Sequence, residues 1–184
     1  MDTYAVVLYF DAATNDTLKK VIKNIAAISK NRYMIDVKIP PHITIGSFFS
    51  DGHADLLAVL DKFANTIESF EVKFNGIRAF EPKVLFLSPV KDTHLKQLNI
   101  LLHETLLKDY PPADNENYIP EKWIPHCALA VRLDEAQFQK AKSIAEKTEL
   151  PAVAKVQKIA LARCNPYKEI AVWDIKNSES ELTQ

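Results

Sequence analysis

The apolar residues of this chain fall into seven short strand-like runs, separated by longer segments with helical periodicity. Strands are indicated where apolar residues alternate with polar ones or follow one another over a few positions. The runs cover residues 4–10, 43–49, 70–80, 83–90, 126–132, 153–163 and 169–175. Helices are indicated where apolar residues recur every three or four positions, as in a helix that lies on a sheet.

Four helices are expected, each after a residue whose side chain can accept hydrogen bonds from the free N–H groups of a first turn. The expected helices and their candidate caps are a helix to about residue 30 (Thr14, Asn15 or Asp16), a helix over 54–67 (after Asp51), a helix to about 107 (Asp92 or Thr93) and a helix to 147 (Asp134).

The order of these elements repeats. A histidine-bearing strand, a helix and a long hairpin occur first over residues 42–90 and again over 126–175, with proline-containing turns at 81–83 and 165–168. This order predicts an α+β fold of two pseudo-symmetric lobes, each with a largely antiparallel sheet and flanking helices, and a groove between them. Residues 109–122, which contain three prolines and several acids, are expected to form a surface loop between the halves.

Length and charge indicate the number of domains, the kind of ligand site and the cellular location to expect. We expect one two-lobed domain over residues 1–176 and a polar tail over 177–184. The net charge of −1 argues against bulk electrostatic adhesion to nucleic acid, so any anion site must be local. No basic segment precedes the first apolar run and no run is long enough to span a bilayer, so we expect a cytoplasmic protein that does not enter a membrane. We also expect a monomer.

One short pattern occurs twice: IPPHITI begins at Ile39, and IPHCAL begins at Ile124. The two copies place His42 and His126 at equivalent positions, which suggests one shared site. Imidazoles have pKa values near neutrality, so two of them facing a phosphate could serve as base and acid. A single such histidine would be interpreted as structural, and the duplication is what favours chemistry.

Strand alternation places His42 and Thr44 on one face, where a hydroxyl can donate to a phosphoryl oxygen while the imidazole moves a proton. In the second copy, Ala128 takes the place of the hydroxyl. Cys127 points to the opposite face and is expected in the core, which disfavours a cysteine nucleophile. Cys127 and Cys164 are expected to be reduced thiols, and the spacing of ligand types does not indicate a metal site.

His42-Ile43-Thr44-Ile45 resembles the HxTx signature of the two-histidine (2H) phosphoesterase superfamily, and the segment from His126 to Leu129 resembles its partner motif. The resemblance extends to about residue 175. It is greatest to the 2'-5' RNA ligase-like and cyclic phosphodiesterase group, whose members act on 2',3'-cyclic phosphates or 2'-5' linkages in RNA and nucleotides.

The resemblance implies that His42 and His126 are the catalytic acid–base pair, that Thr44 donates to the phosphate, and that no metal is required. No cofactor is expected. Ala128 departs from the family pattern, in which Thr or Ser is expected. A metal-independent phosphodiesterase is therefore the leading interpretation, and a nucleotide- or RNA-end-binding module with weak catalysis is the alternative. A protein-interaction scaffold is a third, less favoured interpretation.

A nucleotide base needs an aromatic or apolar platform. Four aromatic residues flank the expected groove elements. Core packing is favoured for Tyr9 and Phe86, whereas Tyr118 and Trp123, in or just after the polar loop, are the candidates for substrate binding. Lys38, Lys122 and Arg132 lie near the motifs in sequence, and no role is assigned to them.

Overall fold

The computed structural model describes residues 1–91 and 93–176, and it confirms the α+β fold class with all seven predicted strands. The strands are β1 (Asp2–Phe10), β2 (Ile43–Ser50), β3 (Phe70–Phe80), β4 (Val84–Pro89), β5 (Cys127–Val131), β6 (Val153–Cys164) and β7 (Tyr167–Asp174). The helices are α1 (Ala12–Ser29), α2 (Tyr33–Asp36), α3 (Ala54–Asn65), α4 (Thr93–Thr105) and α5 (Glu135–Ala145), with 3-10 turns at Leu107–Asp109 and Asp114–Glu116. The predicted tail, 177–184, and the candidate cap Asp92 lie outside the described residues.

The sheet consists of two antiparallel parts that meet at both ends. One part has the order β2-β1-β6-β7, and the other has the order β5-β4-β3. The first residues of β6 pair with β3, from Val153 opposite Lys73 to Val156 opposite Phe70. At the other end, β2 pairs with β5 at a single position. The two parts therefore enclose a groove.

The two sequence repeats exchange strands between these parts. The histidine strand of the first repeat, β2, lies in the same part as the second hairpin, β6–β7. The histidine strand of the second repeat, β5, pairs with β4 of the first hairpin. The helices are divided between the same two parts of the sheet. α1 and α5 contact β5 and β4 in one part, whereas α4 and α3 contact β2 and β7 in the other. Each part of the sheet is thus built from both repeats.

The core lies between the helices and the sheet. α1 buries a stripe spaced by three or four residues, Leu18, Val21, Ile22 and Ile25, as its periodicity predicts. Within residues 1–91 and 93–176, no helix combines the length and the apolar character needed to cross a bilayer.

The helix starts agree with the prediction in one case and differ in another. Asp134 caps α5 in a capping box with Gln137, as expected. The cap predicted for α1 at residues 14–16 is wrong, because the helix begins at Ala12 and Asp11 is its cap. The Asp11 carboxylate accepts from the Thr14 N–H at 2.9 Å and from its hydroxyl at 2.6 Å, so Thr14 lies within the first turn.

Candidate active site

The two motif histidines lie beside the point where β2 meets β5. The strands pair at Ile43 and Cys127, which are fully buried and point into the core. The residues next to this bridge point to the opposite face, toward the groove. In an antiparallel pair, His126 then stands opposite Thr44, and the two histidines are diagonal neighbours. Diagonal neighbours lie about 7–8 Å apart, with their Cβ atoms somewhat closer, so two imidazoles at these positions can reach one ligand group.

Both imidazoles are held in the same way. The Nδ1 of His42 lies 2.7 Å from the Pro40 carbonyl oxygen, and the Nδ1 of His126 lies 2.8 Å from the Ile124 carbonyl oxygen. A carbonyl oxygen can only accept, so each Nδ1 carries the proton. In the neutral ring, Nε2 then carries a free lone pair. The two-residue step back to the carbonyl is the same in both motifs, so the duplicated sequence produces a duplicated tautomer.

Burial lowers the pKa of both histidines below the ordinary value. Desolvation disfavours the imidazolium of His42, and the nearby charge of His126 lowers the pKa of His42 further, against the opposing effect of its bond to Pro40. Desolvation likewise lowers the pKa of His126. A charge on His126 therefore disfavours a proton on His42, so the pair favours a state with a single proton.

The histidines open into a groove of about 520 Å³ between the two parts of the sheet. The small side chains Ala5, Val7 and Ala162, from β1 and β6, line one wall. Lys83 and Arg132 line the groove from the other part of the sheet, and they are the cations available to an anionic ligand there.

Thr44 and Tyr118 bring hydroxyl groups to the groove beside His126. Thr44 is buried, at 9% exposed, and its side chain interacts with the Tyr118 phenol. Burial raises the pKa of Tyr118 to about 12, so the phenol keeps its proton. The Tyr118 ring lies 6.3 Å from the ring of His126. The predicted site residues His42, His126, Thr44 and Tyr118 therefore share one groove.

Trp123 contacts the site from outside the groove lining. Its indole N–H donates to the Thr44 carbonyl oxygen at 3.0 Å, and its ring borders a separate pocket. The buried Asn99 side chain donates to the carbonyl oxygens of Ile45, at 2.7 Å, and Tyr118, at 2.9 Å. The loop that carries Tyr118 is thus fastened to β2 at two points. Sequence reasoning did not identify Asn99.

The position without a hydroxyl lies in the groove, and the neighbouring thiol does not. Ala128 is half-buried and lines the groove across from His42. Cys127 is buried in the core, as predicted, and burial raises the pKa of its thiol to about 12. Both cysteines are free, as expected. The thiol does not replace the missing hydroxyl.

The aromatic residues expected in the core are there. Phe86 is 2% exposed; it pairs with Ala128, so it lies on the same face of the sheet as His126, and its ring lies 5.3 Å from the His126 ring. Tyr9 is 8% exposed, and its hydroxyl lies 2.7 Å from the hydroxyl of Tyr167. Core packing is confirmed for Tyr9 and Phe86.

The groove also contains residues that sequence reasoning missed. Asp114 reaches it from the polar loop and accepts a hydrogen bond from the Ser47 hydroxyl at 2.5 Å. Tyr167 reaches it from the start of β7. Of the cations left without a role, Arg132 lies in the groove with its guanidinium 4.1 Å from the centre of the Tyr33 ring, whereas Lys122 pairs with Glu116. Only the loop's acidic composition hinted at Asp114.

The described residues contain no group of three or more His, Cys, Asp or Glu side chains that could hold a metal ion. The charged and hydrogen-bonding groups that line the groove are an imidazole pair, hydroxyls, one amide, one thiol, one carboxylate and two cations. Such a set can bind a phosphoryl group and move protons around it.

Comparison with known proteins identifies the class that this fold and groove define. Residues 16–166 match the model of the 2'-5' RNA ligase superfamily, and the chain belongs to that family. Family membership supports a phosphoesterase-type function. No curated protein matches the chain by sequence.

Solved structures show the same fold at low sequence identity. A protein of Thermus thermophilus is 14% identical with a TM-score of 0.61, covering 96% of this chain and 100% of its own. Escherichia coli LigT, in complex with 3'-AMP, is 13% identical with a TM-score of 0.59, covering 95% and 98%. Kluyveromyces marxianus Usb1 is 11% identical with a TM-score of 0.51, covering 95% and 98%.

Proposed function

We propose that this protein is a metal-independent phosphodiesterase that acts on 2',3'-cyclic phosphate or 2'-5'-linked RNA or nucleotide substrates. The observation that carries the proposal is the pair of imidazoles, His42 and His126, each with Nδ1 bonded to a carbonyl oxygen and Nε2 free. The related fold of LigT is known with 3'-AMP, ATP and NADP+ bound, which supports a nucleotide ligand in the groove.

In the proposed reaction, the neutral histidine of the pair accepts a proton at Nε2 from water as its oxygen attacks phosphorus. The other histidine, protonated at Nε2, gives its proton to the ribose oxygen whose bond to phosphorus breaks. For a cyclic phosphate, the products are a phosphate monoester and a free ribose hydroxyl. Thr44 donates to a phosphoryl oxygen, Tyr118 closes the groove beside His126, and Trp123 holds the Thr44 backbone. We expect a cytoplasmic monomer.

The test is hydrolysis of 2',3'-cyclic nucleotides and 2'-5'-linked dinucleotides in the presence of a metal chelator. His42→Ala and His126→Ala should each lower kcat by roughly 10²–10⁴-fold, because each removes a proton-transfer group. His103→Ala is the matched control, because the His103 Nδ1 also lies near a backbone carbonyl oxygen, that of Asn99 at 2.8 Å, yet His103 lies outside the groove lining. Full turnover by either motif variant would refute the proposal.

Ala128 favours a second candidate, a nucleotide- or RNA-end-binding module with weak catalysis. One missing hydrogen bond to a charged group costs about 1.5–3 kcal/mol, which is about ten- to a hundredfold in rate if it is lost in the transition state. Such a module would bind nucleotide without turnover by the wild type. Ala128→Thr, which restores a hydroxyl opposite His42, should then raise turnover, whereas an unchanged rate would show that other donors already serve this position.

A further inference from the structure

A second cavity opens from the His42 end of the groove. It has a volume of about 460 Å³ and shares Met34, Ile39 and Tyr167 with the groove lining. Three lysines border it: Lys19 and Lys23 from α1, and Lys38 from the turn that leads into the first histidine motif. We call it the lysine pocket. Because Met34, Ile39 and Tyr167 line both cavities, the lysine pocket lies directly beside the groove.

The lysines of this pocket are available to a ligand. Lys19 and Lys23 are four residues apart and therefore project from the same face of α1. All three lysines are exposed, and no ion pair joins them to a carboxylate within residues 1–91 and 93–176. The pocket also contains one acid, Glu169, whose carboxylate interacts with the hydroxyl of Tyr9. The pocket carries a net positive charge in a protein whose overall charge is −1.

Lys38 occupies a backbone position that favours glycine. Its φ is 59°, in the left-handed region, just after α2. The Lys38 N–H donates to the Ile35 carbonyl oxygen and the Ile39 N–H to that of Met34, which is the Schellman arrangement. Glycine is usual there because it has no Cβ to strain. Lys38→Gly therefore removes the ammonium group without straining the backbone.

We propose that the lysine pocket binds the backbone phosphates of single-stranded RNA next to the reacting phosphate, so that the substrate is an oligonucleotide. The inference rests on the proposed function, because it takes the groove as the site of the reacting phosphate. Three unpaired ammonium groups suit a polyanion, and the Tyr167 ring between the two cavities offers a surface on which a base can stack.

Another basic cavity lies beside the second histidine motif, as the lysine pocket lies beside the first. Arg78, Lys91 and Lys96 border it, together with Ile124 and Pro125, which precede His126. It shares no lining residue with the groove, so the inference is restricted to the lysine pocket.

The test compares binding of an RNA decamer that ends in a 3'-phosphate with binding of a 3'-mononucleotide, across a series of salt concentrations. The variant combines Lys19→Gln, Lys23→Gln and Lys38→Gly. It should bind the decamer about ten- to a hundredfold more weakly, and the slope of log K against log salt should fall by about 2, at roughly 0.7 per phosphate contact. Mononucleotide binding and hydrolysis of 2',3'-cyclic mononucleotides should not change. Lys38→Gly alone should weaken decamer binding without lowering thermal stability.

The matched control combines Lys20→Gln, Lys62→Gln and Lys140→Gln, which removes the same charge from exposed helix positions outside both cavities. It should leave decamer binding within twofold. Equal loss in both variants, equal wild-type affinity for decamer and mononucleotide, or the same dependence for a polyglutamate peptide would overturn the assignment to RNA. Absence of hydrolysis by every form would refute the proposed function, while the binding series would still report on the pocket.

Discussion

At the residue scale, the site depends on two histidines that share one geometry. Each Nδ1 donates to a carbonyl oxygen two residues earlier, so in the neutral ring Nε2 carries the lone pair. The proline-rich approach holds that carbonyl in place, because proline fixes φ and restricts the residue before it. Neither ring needs a carboxylate to select its tautomer.

The lowered pKa values of the two histidines predict an acidic optimum. Activity needs one neutral and one protonated imidazole, so kcat/KM should follow a bell-shaped curve between the two apparent pKa values of the free enzyme. The acid limb is protonation of the base, and the alkaline limb is loss of the proton from the acid. Burial lowers both pKa values, so the optimum should lie below pH 6.5, the ordinary histidine value.

A pH series of kcat/KM on a 2',3'-cyclic nucleotide, with an NMR titration of the imidazole protons, measures this prediction. His103→Ala should retain the wild-type profile, since His103 lies outside the groove lining. An optimum above 6.5 would contradict the prediction and would indicate that another charge in the groove offsets the burial.

At the element scale, the loop between α4 and β5 is part of the site's framework. It follows β2 closely, since the Phe49 N–H donates to the Pro111 carbonyl oxygen at 2.8 Å and the Ala113 N–H to that of Ser47 at 3.1 Å. Trp123 fastens its far end to the Thr44 carbonyl oxygen. A segment expected to be a surface loop therefore fixes the positions of Tyr118 and Thr44.

Trp123→Phe separates anchoring from direct substrate contact, because it keeps an aromatic ring and removes the indole donor. We expect the free energy of unfolding to fall by about 1 kcal/mol, since the Thr44 carbonyl oxygen loses its partner. Chemical denaturation measures the free energy of unfolding, and steady-state kinetics measures KM. Trp173→Phe in β7 is the control for the loss of ring size. A raised KM with unchanged stability would instead indicate that the Trp123 ring binds substrate.

At the scale of the whole molecule, the exchange of strands between repeats creates the groove. Each part of the sheet takes one histidine strand from one repeat and a hairpin from the other, so neither repeat contains a complete half of the molecule. The same exchange brings β2 beside β5 and places the histidines, 84 positions apart in sequence, on one face. Pseudo-symmetry in the chain thus becomes pseudo-symmetry around the histidine pair.

The sequence by itself determined the seven strands, the cap of α5, the core position of Cys127 and the shared face of His42 and Thr44. These features follow from local periodicity and from strand alternation, which depend only on near neighbours in the chain. The sequence pattern placed the α1 cap wrongly. The cap is Asp11, which directly follows β1 and also accepts a hydrogen bond from the Lys155 N–H, a contact that exists only in the folded chain.

Only the tertiary structure decided which hairpin completes which part of the sheet, and which side chains join the histidines. Asp114, Tyr167 and the lysine pocket come from segments far apart in the chain, and nothing in their local sequence marks them as neighbours. Their proximity results from strand pairing over long separations. The duplicated motif therefore indicated the histidine pair, whereas the packing of the two repeats against each other determined which residues line the groove and the lysine pocket beside it.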